Sequence, residues 1–458
     1  MTTSVVDRSV PPPPGALRPF QFPPIERFEL ASGLPVVFSK TDGLPVVTFS
    51  LLLPAGALRE DWRHAGLATL TGSLLESGTR RSDAAEIARK LETLGVRVNV
   101  GTSWEVSHVD FTVVPERAEA AAQIVSELVT ESTFPEDEVE RIRNEQLAAI
   151  LQRRAEPRGL ANEMAARFIF ASDSPFSRPL AGTVSTVSAL GRGDAADFHK
   201  RAFTPQSSTL VVAGNVPLDA ARKSAGSAFG AWTGGDPVQA KGGVAPRQDG
   251  VHLVLVERPG AVQSEIRIGH VGVPRNVPDY FPILVMNTIL GGAFSSRLNM
   301  NLREKHGFTY GVRSSFVMRR MPGPFIVSTA VQTEVTGSAV SEILGELRRM
   351  RDTPVAAAEL TDARQYVAGT FPLRLQTTDG VASRLAELVI YGLPDSYLDE
   401  FAERVLAVDE AEVLEAAQRR LHPDGVTILV VGDPAKVRPQ LDALDLGPVE
   451  VVAASVNE

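Results

Sequence analysis

The sequence predicts an α+β fold in two homologous lobes, each a mostly antiparallel sheet covered by helices. One segment plan occurs twice at a fixed offset. Within each copy, apolar strands precede long helical stretches instead of alternating with them. A Gly- and Pro-rich stretch separates the copies, and 458 residues are too many for a single core.

Taken in order, residues 1–24, "MTTSVVDRSVPPPPGALRPFQFPP", form a Pro-rich tail expected to be extended and disordered, with no apolar signal-peptide core. The first lobe, 25–232, opens with "RFELASGLPVVFSK" and "PVVTFSLLLPAGALRED", a strand, a turn and a second strand. In "HAGLATLTGSLLESGT", residues 64–79, Leu67, Leu70, Leu74 and Leu75 recur at helical spacing, and Gly78 stands where a helix ends. Its middle is bland: Thr69, Thr71, Gly72 and Ser73, although glycine inside a helix costs up to about 1 kcal/mol. "DAAEIARKLETLG" and "EDEVERIRNEQLAAILQRRAEPRGLANEMAARFIF" read as helical. "FTPQSSTLVVAGNVPLDAARK" then supplies a proline, a turn, an apolar strand and a polar helix.

That plan returns in "LHPDGVTILVVGDPAKVRPQL", where Pro205 and Thr209 recur as Pro423 and Thr427, both 218 residues later. Between the copies, 233–250 has the composition of a linker. The second lobe, 251–447, opens with "VHLVLVERPGAVQSEIRIGHVGVPRN", and 448–458 is expected to be a tail. Within "NTILGGAFSSRLNMNLREKHGFTYGVRSSF", Leu298 and Leu302 mark an amphipathic helix from Ser295 to His306, with Ser295 or Ser296 as N-cap. Gly307 ends it and "FTYGVRSSF" reads as the following strand. On residue type alone, Arg303 suits a last helical turn, and Tyr310, alternating with Phe308 and Val312, suits a core.

Composition narrows the function. A net charge of −9 disfavours nucleic acid and anionic membrane as partners. The absence of cysteine excludes disulfides, thiolate ligands and a cysteine nucleophile. The apolar runs are strand-length, so no membrane span is expected; the expected location is cytoplasmic, or periplasmic if the start is truncated. The seven histidines, His64, His108, His199, His252, His270, His306 and His422, include no pair four apart, so no metal site is expected, and His64 reads as a surface residue. "ILGGAF" lacks the glycine and lysine spacing of a nucleotide loop, so its glycines are expected to allow close backbone approach.

"GLATLTGSLLESGT" resembles the active-site helix of the pitrilysin-type zinc peptidases, the family of insulysin and mitochondrial processing peptidase. That family carries His-x-x-Glu-His within Gly-Leu-Ala-His-x-x-Glu-His-x-x-x-x-Gly-Thr. Here Gly66, Leu67, Ala68, Gly78 and Thr79 keep the frame, while Thr69 and Ser73 stand at the histidines and Gly72 at the glutamate. The third ligand, a glutamate, aligns with Leu147 or a neighbour, with Glu145 the nearby carboxylate. Hydroxyls are poor zinc ligands and glycine accepts no proton, so no metal is expected in this chain. Ser174-Pro175-Phe176-Ser177-Arg178 resembles the family's His-Pro-Tyr-Gly-Arg loop, and "LGVRVNVGTSWEVSHVDFTV" its edge-strand region beside the active site.

Arg303 and Tyr310 match the family's C-lobe pair in the frame GG-x-x-SSRL…LRE-x-x-G-x-x-Y. The resemblance implies half of a clam-shell chamber and the non-metal subunit of a heteromeric peptidase. Zinc would belong to a homologous partner subunit, and Arg303 and Tyr310 would bind peptide substrate and stabilise the oxyanion in trans. A catalytically inert scaffold or peptide-binding protein of the same fold is the alternative.

Overall fold

The computed structural model describes residues 15, 20–234, 243–247 and 249–454. Two six-stranded mixed sheets organise it. The first contains β1 (Ile25–Glu29), β2 (Pro35–Lys40), β3 (Val47–Leu53), β4 (Asn99–Thr102), β5 (Ser107–Val113) and β6 (Thr209–Gly214), in the order β1-β2-β6-β3-β5-β4. Only β2 and β6 run parallel. The second contains β7 (His252–Glu257), β8 (Gln263–Val271), β9 (Val312–Phe316), β10 (Pro324–Gln332), β11 (Thr427–Gly432) and β12 (Val449–Ala453), in the order β12-β7-β11-β8-β10-β9. Here β7 is parallel to both β11 and β12, and the other pairs are antiparallel.

The sequence repeat is thus a repeat of sheet position. β6 and β11 begin at Thr209 and Thr427, and each lies between a parallel and an antiparallel neighbour. Both are buried nearly throughout, as is β3, because both faces of each sheet are covered. By contrast β10 alternates half-buried and buried positions from Pro324 to Val331 and ends on exposed Gln332.

The second face of each sheet is covered by a helix from the other half. The helix Thr378–Tyr391 sets Val381 and Leu385 in one apolar cluster with Val37, Leu52, Val211 and Ala213 of the first sheet. Reciprocally, the helix Pro157–Ile169 places Leu160, Met164 and Phe168 against Val254, Val256, Leu429 and Val431 of the second. Pro157 separates this helix from Glu136–Ala155, since the residue before a proline avoids the helical region.

Several expectations are corrected. The tail 1–24 lies mostly outside the described residues, but its end is packed: buried Phe22 donates its amide to Asp399 at 2.7 Å, and Phe20 meets the Phe371 ring edge-on. The tail over 448–458 contains β12, which completes the ladder beside β7. The linker 233–250 lies partly outside the described residues; Ala245 accepts from Ala171 at 2.9 Å, and the Arg247 amide donates to Ile169 at 3.0 Å. No helix among the described residues is long and apolar enough to cross a membrane.

Candidate functional site

The helix that keeps the peptidase frame runs Leu67–Ser73, shorter than the apolar spacing predicts, and continues as a tighter turn over Leu75–Ser77. It begins at Gly66, whose φ of +95° is natural only to glycine, and a Cβ there would lie 2.5 Å from the Ala181 carbonyl oxygen. No side chain of Gly66 can cap the helix, so Glu60 does it from outside. Its buried carboxylate accepts from the Gly66 amide at 3.1 Å and the Ala68 amide at 2.6 Å, with Arg178 at 3.9 Å. Burial pushes the Glu60 carboxyl up to about 7, against the pull of those two amides and Arg178. Gln146, from Glu136–Ala155, locks the same turn by donating to the carbonyls of Gly66 at 3.1 Å and Ala181 at 2.9 Å.

This scaffold presents no ligand set. Ser73 is exposed; Thr69 is half-buried, and its hydroxyl makes no hydrogen bond. Gly72 is pressed against β4, where an added Cβ would sit 3.1 Å from Thr102 Oγ1 and 3.4 Å from Val100. Leu147 packs against the apolar cluster, while Glu145 is exposed and paired with Arg141 at 2.6 Å. Among the described residues, no three His, Asp or Glu side chains gather as a metal site. The groups at Thr69, Gly72, Ser73 and Leu147 do not fit zinc: hydroxyls, a hydrogen and an alkyl chain offer neither soft donors nor a base. His64 lies on the surface, 3.8 Å from Asp194. β4, the strand beside this helix, is indeed the edge of its sheet.

The second-sheet region is intact but built differently from the expected helix and strand. Arg297–Asn299 forms a single helical turn after Ser296, which makes no side-chain cap bond, and Met300–Lys305 continues in a π-helical turn. The His306 amide accordingly reaches the Asn301 carbonyl at 3.1 Å. A second π-turn covers Thr288–Gly292, with the Ala293 amide 3.2 Å from the Thr288 carbonyl. Such turns concentrate at functional sites because they re-aim side chains. Gly291 permits the close approach expected of it: a Cβ there would meet Ser314 Oγ at 2.5 Å.

Gly307, at φ +66°, ends the helix, but the strand starts only at Val312. Between them the Thr309 hydroxyl accepts from the Gly311 amide at 3.1 Å and donates to its carbonyl at 2.9 Å. This turn breaks the alternation and corrects the core alternative for Tyr310. Phe308 is half-buried and Val312 buried, whereas Tyr310 is 98% exposed. Arg303 lies over the Phe294 ring at 4.2 Å, with Nη1 3.6 Å from Glu304 and making no hydrogen bond. Tyr310 and Phe294 both line a groove of about 760 Å³. Tyr310 lines this groove itself, whereas Arg303 is linked to it only through the Phe294 ring that it covers.

Two positioning residues were not singled out in the sequence. The buried Asn299 amide donates to the Val312 carbonyl at 3.0 Å and accepts from its amide at 3.1 Å. Asn287 donates to the Ser314 carbonyl at 3.2 Å and accepts from its hydroxyl at 2.8 Å. These amides occupy the outer edge of β9 and fix the strand that follows Tyr310. An asparagine inside an apolar helical stretch is the signal that points to such a role.

A duplicated sheet-and-helix fold, with Thr69, Gly72 and Ser73 at the positions of the zinc motif, defines a relative of the zinc peptidases. Residues 36–183 match the family model described as insulinase (peptidase family M16), and 189–367 the model described as peptidase M16 inactive domain. The chain belongs to the M16 peptidase family. An uncharacterized zinc protease of Bacillus subtilis, YmxG, is 23% identical over 411 residues, spanning 89% of this chain and 98% of its own length. A protein of Helicobacter pylori named non-peptidase homolog YmxG is 23% identical over 412 residues, spanning 88% and 93%. A solved peptidase M16 inactive domain from Pseudomonas fluorescens has the same fold, with a TM-score of 0.83 at 24% identity over 89% of this chain and 98% of that one.

Proposed function

We propose that this chain is the non-metal subunit of a heteromeric zinc metallopeptidase, supplying Arg303 and Tyr310 to a homologous partner that carries the zinc. The observation that carries this reading is Tyr310, fully exposed on a groove rim in a chain whose own zinc-motif positions hold Thr69, Gly72 and Ser73. The partner's metal would supply the Lewis acid and activated water. From this chain, the Tyr310 phenol donates a hydrogen bond to the oxygen that becomes negative during peptide attack, and the Arg303 guanidinium fixes the substrate carbonyl. The peptide backbone pairs with a sheet edge of the partner; on this chain the outer edge of β9 is already occupied by Asn287 and Asn299.

A second reading, an inert scaffold or peptide-binding protein, draws support from the name of the Helicobacter pylori relative. It leaves the fully exposed phenol of Tyr310 without a use. Co-expression with a homologous chain carrying His-x-x-Glu-His separates the two. In the purified pair, Tyr310→Phe and Arg303→Ala should each lower kcat for peptide cleavage by about 10²–10³ with assembly retained. Unchanged cleavage in both variants supports the scaffold, and so does a pair that never cleaves. Peptidase activity of the isolated, metal-stripped chain would end the proposal.

A further inference from the structure

The groove bordered by Tyr310 does not stop there. Along the start of the Pro157–Ile169 helix it meets a second cavity of about 440 Å³, with Arg158 and Asn162 lining both. The far end is walled by Trp104, Phe176 and Arg319. Arginines dominate this track: Arg153, Arg158, Arg178 and Arg319 line the smaller cavity, and Arg267 and Arg313 the larger.

The carboxylates along it do not balance them. Three carboxylates line it against six arginines: Glu163 is engaged by Arg154 at 2.6 Å, Glu265 by Arg267 at 2.9 Å, and Glu156 is exposed. Arg153, Arg158, Arg313 and Arg319 have no carboxylate within 4.0 Å among the described residues. Arg178 has Glu60 at 3.9 Å, and its buried Nε finds no acceptor. Arg319 lies against the rings of Phe176 at 4.2 Å and Trp104 at 5.2 Å, and burial pulls its guanidinium down to about 10. Arg153, Arg158 and Arg313 are exposed, whereas burial works against the guanidinium charge at Arg178, Arg267 and Arg319. There Glu60, Glu265 and Glu105 offset it only in part, and an entering anion offsets more of that cost. In a chain of net charge −9, this concentration of positive charge gives one channel the opposite sign to the molecule.

We propose that the track from Tyr310 to Arg319 receives peptide substrate through carboxylates, from Asp and Glu side chains or a free C-terminus, so that the peptides presented at Tyr310 are acidic. The proposal rests on the reading of Tyr310 as facing the scissile peptide and names the substrate class of that site. The aromatic wall at Trp104 and Phe176 gives the far end apolar surface against which a peptide side chain can pack beside the Arg319 charge.

The test is fluorescence anisotropy on the full chain without a partner. Three labelled peptides are used: one rich in Asp and Glu, its Asn/Gln counterpart, and the acidic peptide with an amidated C-terminus. The acidic peptide should bind at least about tenfold more tightly than its Asn/Gln counterpart, a gap that narrows as salt rises. Arg319→Gln and Arg158→Gln should each weaken acidic binding about fivefold; Arg158 is exposed, so its removal leaves the fold intact. Loss of affinity on amidation assigns the carboxylate to the C-terminus, and its retention assigns it to side chains. Equal binding of acidic and neutral peptides overturns the proposal, as does an acidic preference that neither variant changes. It also fails if the variants weaken only capture of a zinc-bearing homologous chain, since the groove is then a protein interface. Any of these failures leaves the Tyr310 and Arg303 cleavage test standing. Unaffected cleavage in Tyr310→Phe and Arg303→Ala, with acidic binding intact, fails only the catalytic reading.

Discussion

Two titratable side chains give the fold opposite pH dependences. His270, buried on β8, bonds the Val271 carbonyl through Nδ1 at 2.8 Å and accepts the His422 amide at Nε2, 3.3 Å away. Burial lowers it to about 4 from 6.5. Above pH 6.5 both folded and unfolded chains hold it neutral; below, only the unfolded chain gains the proton, so stability falls as pH drops from 6.5 towards 4. The loss should reach about 3 kcal/mol, and His270→Phe should flatten that limb of a denaturation-against-pH profile. Glu60 acts on the other side. Its folded value near 7 exceeds the ordinary 4.5, so its contribution is complete below 4.5 and is lost as pH rises through 7. Glu60→Gln keeps an acceptor for the two amides, and its stability should decline less than that of the parent between pH 5 and 8, by roughly 1–3 kcal/mol, in urea titrations. Neither role was legible in the sequence, because a carboxylate acquires its value from the amides and apolar walls brought around it.

Glycines separate local from tertiary constraint at the scale of elements. Gly66→Ala forces a φ of +95° on a residue with a Cβ aimed at the Ala181 carbonyl 2.5 Å away. It should cost at least about 2 kcal/mol in chemical denaturation, with the Leu67–Ser73 helix losing hydrogen-exchange protection first. Gly345, exposed in the Thr336–Asp352 helix, has nothing within 4 Å of an added Cβ. Gly345→Ala should instead stabilise by up to about 1 kcal/mol, the intrinsic helix preference of alanine. Such periodicity as Leu67, Leu70 and Leu74 was readable from spacing alone. The break before Tyr310 was not, since Phe308, Tyr310 and Val312 alternate perfectly and only the Thr309–Gly311 turn reverses the middle residue.

For the whole molecule, the exchange of helices couples the halves. Met164 belongs to the first half by sequence but lies in the core of the second sheet, and Leu385 does the reverse. Met164→Ala and Leu385→Ala should each destabilise by about 2–5 kcal/mol. Calorimetry should show one cooperative transition moving in both variants; two separate transitions would mean that the halves fold independently.

The amino-acid order alone determined the duplicated α+β plan, the β6/β11 equivalence and the family frame emptied at Thr69, Gly72 and Ser73. Periodicity and motif spacing are local properties that any chain carries before it folds. Only the tertiary structure decided that each sheet borrows a helix from the other half, that Tyr310 faces outward, that Asn287 and Asn299 occupy the β9 edge, and that arginines distant in sequence line one groove. Those outcomes depend on which surfaces meet, and burial and charge pairing exist only between residues that packing has brought together.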